Sequence, residues 1–368
     1  MKLHRIGMTA AVAVASLALA ACGNDNPTGT STPASTEGEG GSLSGTLKGA
    51  GATSQESAMT AWIAGYQGVQ PGVTVQYDSV GSGAGRENLI SGAVSFAGSD
   101  AYLDDEEREK VKDTCGPDGA MNIPVYISPV AIPYNLEGVD ELNLKPATLA
   151  MIFDQKITKW NDPKIAADNP DADLPDLKIT AVNRSDESGT TENFMEYLSA
   201  AAADSWSYEA DKAWPVSGGE AAAQTTGVIE VVGSTNGAIG YADASAVGSL
   251  QAAKIGVGEE FVEFSPEAAA KVVDASEPAD TGVEGDLALD LARDTTESGA
   301  YPIVLVSYHI VCKTYSDQET ADLVKDFVGY VVSEDGQQAA SGAAGSAPIS
   351  ADLRSKAEQS LELVKAGS

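Results

Sequence analysis

The chain is short of imidazole, thiol and positive charge. Histidine occurs only at His4 and His309 in 368 residues. His4 falls in a segment that reads as a cleavable leader, so one imidazole would remain, too few for a cluster of histidine metal ligands. His309 lies in the apolar run Ile303 to Val311, the setting of a packed core histidine, which leaves a serine hydrolase or phosphatase without an evident base. The carboxylates are abundant but show no metal-binding spacing, and neither a metal nor a cofactor is expected. Lys and Arg together number 22 against 54 Asp and Glu, a formal charge of −32. That sign argues against nucleic acid as a partner. It also repels anions at long range, so any anion site must act through short, desolvated contacts. Beyond residue 21 no apolar run is long enough to span a membrane.

At the N-terminus, Lys2 and Arg5 precede an apolar run from Met8 to Ala21, the pattern of a signal-peptide core over residues 1–21. It ends in Leu19, Ala20, Ala21 and Cys22. Small residues before a cysteine look like the lipobox of bacterial lipoproteins, in which Cys22 becomes the diacylated N-terminus. An ordinary signal peptide with an incidental cysteine is the alternative. Loss of the leader leaves 20 basic against 54 acidic residues, a formal charge of −34. Two acyl chains anchor stably. Residues 22–42 are polar and rich in Gly, Ser, Thr and Pro, a flexible tether that would hold the folded part on the order of 25 Å from the membrane. Of the three cysteines, Cys115 and Cys312 then remain outside the membrane, where a disulfide is expected, against two separately buried thiols. A bridge over so long a loop requires a domain built from both ends of the chain.

From Leu43 onward strands and helices alternate: strand 43–48, helix 55–67, strand 73–77, helix 86–93, a charged helix 104–112 begun by Asp104 and Glu107, and strand 123–132. A second series follows, with helices at 147–153, 192–203 and 226–232 and strands at 178–182 and 238–242. A β-rich run at 301–311 and an amphipathic helix at 318–333 come last. The alternation indicates an α/β class.

Three turns carry possible chemistry. Gly49 to Ser54 and Gly81 to Arg86 each stand between a strand and a helix, where glycines let backbone N–H groups approach a ligand. Thr53 and Glu56 have capping-box spacing, so a plain turn with an N-cap is the simpler view of the first. The second lacks both the Walker A ending and the Rossmann spacing, which argues against a nucleotide. The third, Arg184 to Thr190, offers a planar guanidinium, the hydroxyls of Ser188 and Thr190, and a helix start. Gly98, Ser99 and Asp100 follow another strand. One such turn is bland, but several in one α/β chain can converge as an anion cleft.

These residues resemble the PstS family, the phosphate-binding lipoproteins of bacterial ABC importers. Gly49 to Thr53, Tyr77 to Gly85, Gly98 to Asp100, Lys156 to Asp162, Arg184 to Thr190, Gly237 to Tyr241 and Tyr301 to Ile303 look like that family's blocks, in order, from Leu43 to the C-terminus. The resemblance implies a type II periplasmic-binding-protein fold, two α/β lobes joined by a two-strand hinge with an anion cleft between them. Lobe I would comprise residues 43–126 with 305–368 and lobe II residues 127–304, with crossovers near 125–128 and 303–307. It implies phosphate held by Thr53, the backbone N–H of Ser54, Ser82, Asp100, Arg184, Ser188, Gly189 and Thr190, with Asp186 orienting Arg184. Both Cys115 and Cys312 would belong to lobe I. The implied partners are inorganic phosphate, a membrane permease and, through Cys22, the membrane; a monomer is expected. One departure stands out: the family commonly has Phe then Pro where this chain has Ser54 and Gln55.

Near neutral pH phosphate keeps a proton that an ionised Asp100 can accept as a hydrogen bond, whereas sulfate has none. Binding of another oxyanion such as sulfate, molybdate or tungstate is the alternative, with phosphoester hydrolysis or a surface adhesin further off.

Overall fold

The structure is a computed structural model that describes residues 43–367. The leader, Cys22 and the tether lie outside these residues. The first half of the fold alternates through β1 (Gly45–Gly51), α1 (Glu56–Val69), β2 (Val73–Ser79), α2 (Ser82–Ile90), β3 (Phe96–Ser99) and α3 (Asp105–Cys115). The long strand β4 (Ala120–Ala131) is buried at every residue. After it come β5 (Pro133–Asn135), β6 (Asn143–Leu144), α4 (Pro146–Phe153), α5 (Pro163–Asp168), β7 (Thr180–Arg184) and α6 (Gly189–Ala201). The chain continues through β8 (Glu220–Ala222), α7 (Gln224–Ser234), β9 (Ala238–Gly240) and β10 (Ala242–Asp243). Short strands β11 (Gln251–Ala252), β12 (Lys254–Val257) and β13 (Glu260–Val262), helix α8 (Pro266–Asp274) and the pair β14 (Glu277–Pro278) and β15 (Leu289–Asp290) lead to β16 (Val304–Cys312). Last are β17 (Thr314–Tyr315), α9 (Gln318–Val332), α10 (Glu334–Ala344), α11 (Ala351–Leu361) and β18 (Lys365–Ala366).

Two sheets organise these elements, one ordered β10-β4-β16-β3-β1-β2 and the other β11-β5-β9-β7-β8. Within each, a central group pairs in parallel, β1 with β2 and β3, and β7 with β8 and β9. The chain passes from the first sheet to the second between β4 and β5, touches the first again at β10, returns to the second at β11, and rejoins the first at β16. β16, from late in the sequence, lies between β4 and β3. Its end carries Cys312, which is bonded to Cys115 at the end of α3 across a separation of 197 residues. Residues from both ends of the described chain thus share one sheet.

Two clusters of aromatic rings pack beside the sheets. Around β16, the ring centroid of His309 lies 5.0 Å from Phe96, 5.6 Å from Trp62 and 6.0 Å from Phe327. Beside the second sheet, Phe194 lies 4.9 Å from Phe153 and 4.6 Å from Tyr241. Edge and offset contacts of this kind add to the area each ring buries.

The glycine-rich segments differ from the expected turns. β1 runs on to Gly51, and α2 starts at Ser82 rather than near residue 86. At Gly51, φ is +146° and a Cβ would stand 1.9 Å from the carbonyl oxygen of Gly98. At Gly85, one would stand 2.4 Å from Cα of Gly51. These glycines bring β3 and α2 against the end of β1, close packing more than loop flexibility. The expected capping box at Thr53 is absent, because α1 starts at Glu56 with Gln55 as its N-cap and no side-chain cap bond. By contrast α3 has a capping box in which Asp104 and Glu107 exchange bonds.

Candidate anion site

Four helix starts meet between the two sheets. The first turns of α1 and α2 come from the first sheet, those of α6 and α7 from the second, and each carries unpaired N–H groups and a positive dipole end. The contact is close: a Cβ on Gly189, at the start of α6, would lie 2.8 Å from both Cβ of Asp100 and Oγ of Ser82. Thr53 hydrogen-bonds Thr225 at 2.8 Å, joining the β1–α1 turn to the first turn of α7. Thr53 is the most exposed of the side chains expected to contact the ion, at 7 %.

Asp100 follows β3 and gathers hydroxyls. Its Oδ1 accepts from Ser54 Oγ at 2.5 Å and Ser307 Oγ at 2.6 Å, and its Oδ2 accepts from Thr190 Oγ1 at 2.9 Å. Its backbone N–H donates to Ser82 Oγ at 3.2 Å, and its carbonyl accepts from the Asn193 amide at 2.6 Å. Ser54 was expected to act through its backbone; its hydroxyl is committed to Asp100.

Arg184 ends β7. Its guanidinium meets Asp186 through two nitrogens, Nε to Oδ1 at 2.8 Å and Nη2 to Oδ2. Asp186 also accepts the Gln224 N–H at 2.9 Å. Burial alone would push the Asp186 carboxyl up, but the hydrogen bond and charge of Arg184, with the Gln224 N–H, hold it below its ordinary value. The Arg184 N–H donates to the Tyr241 hydroxyl, which also bonds Thr191. Ser188 caps α6 by accepting from the Thr191 N–H at 3.3 Å. All nine residues singled out for the ion and for orienting Arg184 therefore lie in one region, with Asp186 the least buried.

Several participants were not anticipated. Ser307 and Thr225 come from distant chain segments, and Gln55 reaches Ser307 from α1. Asn193 spans Asp100 and the Gly189 carbonyl, and is itself held by Arg293. Two of them left a trace in the sequence, Ser307 as a hydroxyl interrupting the apolar run of β16 and Gln55 as a departure from the family's usual Pro. Beside the site, buried Arg86 pairs with Glu107 at 3.1 Å and Glu192 at 3.5 Å, while Lys212 pairs with Glu107 and Glu187. Burial lifts Glu192 to about 7 against the pull of Arg86. Burial also pushes His309 down to about 3, so it stays neutral in the core. Among the described residues no group of acidic, Cys or His side chains has a metal-binding arrangement.

Residues 32–335 match the model of the PBP superfamily domain. The phosphate-binding protein PstS 3 of Mycobacterium tuberculosis is 38% identical over 340 residues, covering 89% of this chain and 90% of its own. The chain belongs to the PstS family of phosphate-binding proteins. The PstS 3 of Mycobacterium leprae is 35% identical over 97% of this chain and 98% of its own. Among solved structures, the phosphate-binding protein of Stenotrophomonas maltophilia aligns with a TM-score of 0.65 at 21% identity, over 86% of this chain and 94% of that one. The fold is that of the type II periplasmic binding proteins, in line with what the PstS resemblance implied.

Proposed function

We infer that this protein binds inorganic phosphate between its two sheets and delivers it to the permease of an ABC importer. The observation that carries this reading is Asp100, a buried carboxylate that meets only donors and lies at an anion-suited convergence of helix starts, opposite the Arg184–Asp186 pair. The relatives' names agree, since they are binding proteins and not hydrolases. Neutral donors and helix dipoles supply most of the hold, through Thr53, Ser54, Ser82, Ser188, Gly189 and Thr190, and Arg184 is the cation set against the ion. Asp186 orients Arg184. Asp100 accepts the proton that phosphate retains. Sulfate has no proton to give and would face a like charge in a dry site. Sites built around a substrate hydroxyl reject analogues lacking it by about 10⁴- to 10⁵-fold.

Closure over the ion would bring together lobe I, residues 43–126 with 305–368, and lobe II, residues 127–304, about the paired strands β4 and β16. In this reading the protein is exported, held outside the membrane by acylated Cys22 and its tether, and works as a monomer. Among the described residues no helix is long and apolar enough to cross a membrane.

Isothermal titration of the full-length protein in detergent, stripped of ligand by partial unfolding and refolding, tests the reading. One phosphate per chain and no heat with sulfate at equal ionic strength is the expected result. Binding of sulfate or molybdate alone would overturn it in favour of another oxyanion.

A further inference from the structure

We propose that Gln55, acting through Ser307, is a specificity-determining pair that keeps Asp100 a pure acceptor and so enforces rejection of fully deprotonated oxyanions. The inference rests on the phosphate reading above and concerns the position where the chain has Ser54 and Gln55 in place of the Phe and Pro common in the family.

The argument turns on the direction of each hydrogen. The Gln55 amide nitrogen lies 2.6 Å from Ser307 Oγ and 3.2 Å from the carbonyl oxygen of Tyr308. A carbonyl only accepts, so the nitrogen faces it, and the other Gln55 N–H points at Ser307. The Gln55 oxygen is then left for His309 Nε2 at 3.2 Å, which neutral His309 meets by carrying its proton there. Ser307 has one hydrogen. Because its oxygen already accepts from Gln55, that hydrogen is directed to Asp100 Oδ1 at 2.6 Å. Ser307 Oγ has one acceptor within reach, Asp100, so its hydrogen cannot turn away without being left unpaired in an interior where Gln55, Ser307 and His309 are all 0 % exposed.

Backbone geometry supports the arrangement. The pairing of β16 with β4 shifts register between Ser307 and Tyr308, where β4 carries an extra residue between Pro124 and Tyr126. Ser307 and His309, two residues apart on one strand, both reach Gln55.

A hydroxyl donates roughly twice as strongly to a carboxylate as to a neutral carboxyl. A donor that cannot turn away therefore stays a donor to Asp100 Oδ1 and turns no lone pair toward it. Sulfate needs the opposite, a proton on Asp100 to offer its oxygens. Relaxing Gln55 or removing Ser307 should let that proton in under mild acid. The other titratable groups facing Asp100 are Tyr77 and buried Asp243, which burial lifts to about 6, and both are common to wild type and variants, so the comparison at each pH isolates the pair.

The experiment is titration of full-length wild type, Gln55→Met and Ser307→Ala with sodium phosphate and sodium sulfate at pH 5.5 and pH 8. Both variants are expected to bind sulfate at least tenfold more tightly than wild type at pH 5.5, to reject it at pH 8, and to lose less than tenfold in phosphate affinity. A merely structural role would weaken both anions together. If both variants bind phosphate and exclude sulfate as wild type does at both pH values, the role of the pair is overturned while the phosphate reading stands. A wild type that binds sulfate, or no phosphate, overturns the phosphate reading and this inference with it. Should Gln55→Met bind nothing, Ser307→Ala decides alone, since it removes one buried oxygen.

Discussion

Asp100 and Asp186 stand on opposite sides of one site, beside the first and the second sheet respectively, and their partners differ in kind. Asp100 is met by the hydroxyls of Ser54, Ser307 and Thr190, all neutral. Asp186 is met by a guanidinium and a backbone N–H, one permanently charged and the other fixed in direction. A carboxylate paired with a cation has its charge spent on that partner, and serves to hold it in place. A carboxylate ringed by neutral donors keeps a net charge that can discriminate between ligands. On the phosphate reading proposed above, the two carboxylates divide two tasks that one residue could not perform together, Asp186 positioning the cation and Asp100 testing the ligand for a proton.

The largest effect should come from removing the cation. Arg184→Ala leaves Asp186 without its partner and the ion without its guanidinium, and should weaken phosphate binding by about 3 kcal/mol or more, which calorimetry would read as a loss of more than about a hundredfold. An unchanged affinity would mean that Arg184 serves Asp186 and not the ion. Asp186→Asn is milder, because the guanidinium stays but loses its fixed direction; a loss of about 1–2 kcal/mol in binding is expected. The pH dependence gives a second check. Asp186 is held below its ordinary value, so its stabilising share is present above that range and is lost as pH falls through the lowered value. The difference in unfolding free energy between wild type and Asp186→Asn should therefore shrink on acidification. Asp100→Asn should be gentler still on phosphate, within about tenfold, because the amide oxygen still accepts. Its signature is weaker sulfate exclusion. If it rejects sulfate as strongly as wild type, the two carboxylates do not divide the work as described.

The turns of this candidate site were legible from strand ends and helix starts, whereas the choice of Ser82, Asp100 and Gly189 within them came through the resemblance to the PstS family. Asp100 and Arg184 stand at strand ends, and Ser82, Ser188, Gly189 and Thr190 at helix starts, positions that glycines and hydroxyls mark in the sequence. The α/β alternation was legible for the same reason, with errors at element ends. Thr53 shows the limit: its spacing to Glu56 suggested a cap, but the helix starts at Glu56 itself, and Thr53 finds its partner 172 residues away. Ser307 meets Gln55 across 252 residues and Asp100 across 207. No local pattern encodes such pairs, because tertiary packing makes them. Residues 334–361, over which no element is read from the sequence, form α11 and α10, the latter carrying Gly336 and Gly342, which weaken a helical pattern. Helix α10 is secured from outside, by Trp62 donating to the Gly336 carbonyl at 2.8 Å.

The smallest effect tests whether the comparison has left out a cation. Lys212 lies near the site, and its carbonyl accepts the Ser188 N–H at 2.9 Å. Its ammonium, however, faces Glu107 and Glu187, and its side chain is 24% exposed. Ion pairs with that much solvent access are worth roughly 0.2–1 kcal/mol and are screened by salt. Glu107 also keeps Arg86 when Lys212 is lost. Lys212→Met should thus leave the backbone bond to Ser188 in place, raise the phosphate Kd by less than about fivefold, and have a smaller effect still at high salt. A loss as large as that of Arg184→Ala, insensitive to salt, would make Lys212 a second cation on the ion. The contrast between one charged side and one neutral side would then no longer describe the site.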